Sequence, residues 1–129
     1  ETAMGGAIGV FEGARALRVP RTRFAPVKTT NDLLVVMSDA YELTSDSRVV
    51  RASDASEGLV VDLDPAYFAR IDQFDARFPR GVPSLRECTS LRVRGDVRFA
   101  RGVRLVGDVE IVHEGPEQLE IGAGQQLGG

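Results

Sequence analysis

Two interleaved ladders of apolar residues run through the last third of the chain. Leu85, Leu91, Val97, Val103 and Val109 fall six positions apart, and Val93, Phe99, Leu105 and Ile111 repeat the same interval. Gly95, Gly102 and Gly107 punctuate them. Two inward residues per short strand, a corner, and a repeat of six predict a hexapeptide parallel β-helix, with Arg98, Arg101 and Arg104 facing out. An antiparallel meander turning at Gly95-Asp96 and Gly107-Asp108 is the competing arrangement, but meanders rarely hold so constant a register. The segment His113-Glu-Gly-Pro-Glu-Gln interrupts the beat before Leu119 and Ile121.

Upstream the periods differ. Ala3, Ala7, Ile8, Phe11 and Leu17 are spaced close to a helical repeat over 1–17, weakened by Gly5, Gly6, Gly9 and Gly13, each by roughly 1 kcal/mol relative to Ala. Residues 15–19 alternate and predict a short strand. Leu33, Leu34, Met37 and Tyr41 make one stripe, predicting a helix over 30–43 capped by Thr29 or Thr30; Val35 and Val36 would suit a strand better. Short strands are expected at 48–51 and 58–62. Asp64-Pro65 then starts a helix whose stripe is Tyr67, Phe68, Ile71, Phe74 and Phe78. Phe78-Pro79-Arg80-Gly81-Val82-Pro83 ends it and marks a boundary, dividing the chain into 1–82 and 83–129.

Composition narrows the class. With 43% hydrophobic and 27% charged residues the chain is globular, and a net charge of −3 argues against a nucleic-acid partner. No apolar run is long enough to span a bilayer, and no signal peptide precedes the first elements, so no membrane partner is expected. The single cysteine, Cys88, has no internal disulfide partner and reads as a small buried hydrophobe in a cytoplasmic protein. The chain opens at Glu1 with a helical pattern already under way, which reads as part of a longer protein.

The candidate chemistry is concentrated in Val19-Pro20-Arg21-Thr22-Arg23-Phe24-Ala25-Pro26-Val27-Lys28-Thr29-Thr30. Prolines stiffen this basic loop, and Lys28 sits just ahead of a helix N-terminus, where free N–H groups and a partial positive charge favour an anion. The residues alone leave two readings open: Lys28 as a phosphate contact, or Lys28, Arg21 and Arg23 as ordinary solvated cations. His113, the only histidine, has no evident partner for general-base work, and no His/Cys cluster has metal-ligand spacing. Asp62 with Asp64, and Asp39 with Glu42, read as surface, cap and helix charges rather than acid pairs.

The run VPRTRFAPVKTTNDLLVVMSDAYEL resembles the signature near the end of the catalytic domain of eukaryotic-type UTP–glucose-1-phosphate uridylyltransferases, with ETAMGGAI similar to the helix before it. The resemblance implies an α/β chain: the C-terminal end of a Rossmann-like nucleotidyltransferase domain (1–82) followed by a small left-handed parallel β-helix (83–129). The implied reaction is uridylyl transfer from UTP to glucose-1-phosphate with Mg²⁺ present, giving UDP-glucose and pyrophosphate. The motif's phosphate-contacting catalytic lysine carries over to Lys28, with Arg21 and Arg23 as supporting cations. The metal ligands, uracil pocket and Gly-rich nucleotide loop of that family are not in this sequence, so a chain inactive by itself is expected. Two alternatives share the architecture: the related UDP-N-acetylhexosamine pyrophosphorylases, and a β-helix that serves as a homo-oligomerisation module without its own catalysis.

Overall fold

The computed structural model describes residues 5–20 and 26–129, in a mixed α/β arrangement built on parallel strands. After a short helical stretch at 5–6 and a 3₁₀ turn at Ala7–Gly9, the next helix, α1, is Thr30–Met37. It is followed by β1 (Tyr41–Leu43) and β2 (Val49–Arg51), an antiparallel pair, then by β3 (Val60–Leu63). Two short helices, α2 (Pro65–Phe68) and α3 (Ile71–Arg77), precede the long strand β4 (Ser84–Arg94). The rest alternates between two faces: β5 (Val97–Phe99), β6 (Arg104–Val112), β7 (Leu119–Ile121) and β8 (Gln126–Gly128).

Every strand pair beyond β1–β2 is parallel. One sheet has the order β3-β4-β6-β8 and a second joins β5 to β7. Leu91 lies beside Val109 and Val93 beside Ile111, each pair three six-residue steps apart, while Val97 lies beside Leu119 and Phe99 beside Ile121. Parallel pairing excludes the meander, since hairpin turns join only antiparallel strands. Both six-residue ladders are buried along their whole length. Arg101 and Arg104 are exposed, and Arg98 is half-buried with its guanidinium 3.5 Å from Glu120. At Gly95 the chain turns with φ of 91°, and a Cβ there would lie 1.9 Å from the His113 carbonyl oxygen. Only glycine fits that corner.

The two halves of the sequence share one core. Strand β3, which precedes Pro83, pairs with β4 through Val60↔Ser90 to Leu63↔Val93. Phe68, Phe74 and Phe78 are buried with the ladder residue Phe99, whose ring stacks on Phe78 at 5.2 Å. Arg77 lies over the Tyr67 and Phe68 rings and donates from Nε to Asp96 Oδ1 at 3.0 Å, tying α3 to the turn before β5.

Three expectations need correction. Of the helix expected over 1–17, residues 1–4 lie outside the described residues; the helical conformation at 5–6 passes into a 3₁₀ turn, Ala7–Gly9, and stops there, followed by irregular chain with Gly13 at φ of 75° and no strand over 15–19. Glycine weakens the helix, and Val10, Phe11 and Leu17 remain exposed, so no packing offsets that loss. The helix over 30–43 stops at Met37. Ser38 is extended, its hydroxyl donates to Val35 O at 2.8 Å and accepts from Ala40 N at 3.3 Å, and Tyr41 belongs to a strand. The aromatic helix after Asp64 is broken at Ala69–Arg70, where Arg70 N–H donates to Gln73 Oε1 at 3.2 Å. The break resets the helical phase, leaving Ile71 58% exposed while the phenylalanines go inside.

Candidate phosphate-contacting site

Lys28 stands one residue ahead of the N-cap of α1, on a segment entered from Pro26. Its side chain is exposed on the rim of a 220 Å³ cleft lined by Lys28, Thr29, Thr30 and Asn31 on one side and Leu63, Pro65 and Ala69 on the other. Its main chain is held by the helix it introduces. Asp32 Oδ2 accepts from Lys28 N at 3.0 Å, from Thr29 N at 2.9 Å and from the Thr29 hydroxyl at 3.0 Å, while Asp32 N donates to Thr29 Oγ1 at 3.4 Å. This is a reciprocal capping box extended by one residue to reach Lys28. The Lys28 and Thr29 N–H groups hold the Asp32 carboxyl below its usual range, aided by the Thr29 hydroxyl and the Lys28 charge. The cap is therefore ionised at neutral pH, and its contribution to stability is lost only as pH falls through that lowered value.

The box modifies the expectation for an anion site. The N–H groups of Lys28 and Thr29 are already committed to Asp32, and a carboxylate occupies the helix end. A substrate phosphate would meet the Lys28 ammonium and the first N–H groups of α1, not an empty helix terminus.

Both ends of α1 are tied to the sheet. Asn31 Oδ1 accepts from Leu63 N at 3.1 Å. Past the other end, Asp39 accepts from the Ser84 hydroxyl at 2.6 Å, from Leu85 N at 2.9 Å and from Arg86 N at 3.2 Å, at the start of β4. By its sequence neighbours Asp39 reads as a surface charge, and no local signal marks partners 45 residues away. Asp64 caps α2 through Ala66 N and also accepts from Gly95 N at 2.9 Å. Asp62 pairs with Arg94, whose hydrogen bond holds its carboxyl low. Neither acid pair is arranged for proton transfer.

The remaining candidates separate. Arg21 and Arg23 lie outside the described residues. His113 Nε2 is 2.6 Å from Glu117 O, closing the excursion after β6, far in sequence from Lys28 and spent on structure. Cys88 is buried, and desolvation, with the Asp108 charge, pushes its thiol up to about 11, so it is inert. Among the described residues no group of three or more His, Cys, Asp or Glu is placed to hold a metal ion. No helix there is long and apolar enough to cross a membrane.

The site is therefore an exposed lysine on a clamped loop in a mixed α/β chain built on parallel strands. The family model for UTP–glucose-1-phosphate uridylyltransferase matches residues 1–106, and the chain belongs to that family. The chain is 45% identical to UTP–glucose-1-phosphate uridylyltransferase of Hordeum vulgare over 98% of its length, and 42% identical to that of Solanum tuberosum over 94%. It superposes on the structure of UDP-glucose phosphorylase from Trypanosoma brucei with a TM-score of 0.78 and 46% identity over 96% of the chain. For UDP-glucose pyrophosphorylase of Leishmania major the values are 0.78, 43% and 95%. The chain spans 27% of the Hordeum protein and 26% of the Leishmania one, about a quarter of the length of these relatives.

Proposed function

We propose that this chain supplies the phosphate-contacting lysine of a uridylyltransferase that makes UDP-glucose and pyrophosphate from UTP and glucose-1-phosphate. A phosphate oxygen of glucose-1-phosphate attacks the α-phosphorus of UTP, and the bond to the β-phosphate oxygen breaks. Negative charge crowds together as the two anions meet, so a fixed cation stabilises that moment more than the separated substrates. The observation that carries this reading is Lys28, exposed on the rim of its cleft with its backbone clamped by Asp32. The Leishmania relative has been crystallised with UDP-glucose, and the Hordeum and Solanum relatives carry glucose rather than N-acetylhexosamine in their names. Both facts favour glucose-1-phosphate over the hexosamine alternative. Arg21 and Arg23 are assigned supporting charge near the same phosphates. Mg²⁺, when bound, neutralises substrate phosphate charge, and no residue of this chain is assigned to hold it. A cytoplasmic setting is consistent with the lone, buried Cys88.

The cleft is small. At 220 Å³ it falls below the roughly 300–1,000 Å³ of typical ligand sites, so nucleotide and sugar phosphate together need walls from elsewhere. The 129-residue chain given UTP, glucose-1-phosphate and Mg²⁺ is expected to release no pyrophosphate above background. The full-length protein is expected to release it only when both substrates are present. Failure of the full-length protein refutes the activity. Saturable release by the short chain that vanishes in Lys28→Ala refutes the division of the site.

The finer architecture follows the same reading. Residues 1–82 complete a Rossmann-like domain and 83–129 form a left-handed β-helix, with β3 laid against its first turn. The parallel pairing and the two buried six-residue ladders support the β-helix. Its last described strand, β8, leaves one edge of the four-stranded sheet unpaired among the described residues, which suits a homo-oligomer contact. Sedimentation of the full-length protein should then show an oligomer; a monomer removes the idea.

A further inference from the structure

We propose that Asp32 is a positioning residue for Lys28, an inference that rests on the phosphate-contacting role assigned to Lys28. Asp32 Oδ2 is the single acceptor for three donors on two consecutive residues: Lys28 N, Thr29 N and the Thr29 hydroxyl. An ordinary capping box needs only the second of these. The additional bond to Lys28, four residues back, fixes the backbone from which the ammonium projects. Pro26 restricts the chain on the other side. The helix that carries Asp32 is in turn bound to β3 through Asn31 and to β4 through Asp39. The Lys28 backbone is thereby referred to the sheet through one carboxylate, whose charge also makes it a stronger acceptor than a neutral group.

Asp32 is not itself a phosphate contact, because an ionised carboxylate repels the substrates. Its influence must pass through Lys28, and this separates it from a residue that merely holds the fold. An amide in its place keeps one carbonyl oxygen but no charge, so it holds the same three donors more weakly. Asp32→Asn should lower kcat by about threefold and Asp32→Ala by about tenfold, with KM for UTP changing less than about twofold, since small misplacements of a reacting group act mainly on the chemical step.

The test is a double-mutant cycle in the full-length protein, reading kcat for pyrophosphate release and the melting temperature for Asp32→Ala, Lys28→Ala and the double variant. The expected result is that Asp32→Ala, harmful alone, changes kcat less than about twofold once Lys28 is gone. If Asp32→Ala multiplies into the Lys28→Ala background by its full factor, it acts on the fold or elsewhere, and the proposal is overturned. Wild-type kcat in Asp32→Ala alongside a crippled Lys28→Ala also overturns it while leaving the role of Lys28 intact. Wild-type kcat in Lys28→Ala refutes the underlying assignment instead. Should Asp32→Ala fail to fold, the cycle is run with Asp32→Asn, whose threefold loss must likewise disappear in the Lys28→Ala background or the proposal falls.

Discussion

In the full-length protein, Lys28→Ala is expected to lower kcat/KM for UTP and glucose-1-phosphate by about 10- to 100-fold. A hydrogen bond to a charged group contributes roughly 1.5–3 kcal/mol, and each 1.4 kcal/mol of transition-state stabilisation is a factor of about ten in rate. The N–H groups of Lys28 and Thr29 are taken by Asp32, so this amide pair cannot replace the ammonium. Lys28→Arg should recover part of the loss, since it keeps the charge but presents a planar fork instead of a compact point. The melting temperature should stay within a few degrees of wild type, because the Lys28 side chain is exposed and the cap uses only its backbone. Steady-state pyrophosphate release is the measurement, and an unchanged kcat/KM in Lys28→Ala would falsify the assignment.

The largest effect on stability is expected at Val103. It is fully buried in the hydrophobic core just before β6, so an introduced carboxylate would lose its hydration. Val103→Asp should destabilise the protein by several kcal/mol, a large part of the whole stability of a domain. Arg101→Asp, two positions away on the exposed corner, should change it by less than about 0.5 kcal/mol. Arg104 is a poorer control, since its guanidinium lies 2.6 Å from Glu87 and an aspartate there would face a like charge. Urea melts of the two variants are the measurement: similar midpoints would remove the inward and outward assignment.

The β-rich half is legible in the sequence because its signal is repeated and local. Each six-residue step restates which positions point inward, and all nine ladder residues from Leu85 to Ile111 are buried. The caps are legible for the same reason: Thr29, one of the two candidates for α1, and Asp64 with Pro65 act within one turn of the chain. What the sequence conceals depends on distant partners. Asp39 reads as the surface charge of a continuing helix, yet three donors at the start of β4 claim it and the helix ends before it. The apolar stripe of 67–78 conceals a break because Phe68 and Phe74 reach the core from two helices as readily as from one. Lys28 stands out by its motif. The carboxylate that holds it reads only as a favourable charge near the helix start, although the spacing of Thr29 and Asp32 fits a capping box.

The parallel stacking also places arginines against acids on neighbouring strands. Arg92 lies between Asp62 and Glu110, Arg98 beside Glu120 and Arg104 beside Glu87. These side chains are largely exposed, so each pair adds little to the final free energy. Their effect falls on the choice among competing alignments. Apolar rungs that recur every six residues are nearly interchangeable, and a strand displaced by one rung would still bury valine and leucine. The charges are not interchangeable, because displacement sets arginine against arginine or leaves a carboxylate unmatched. In a chain whose interior repeats itself, the sparse and irregular lettering on the outside distinguishes the native alignment from its near copies.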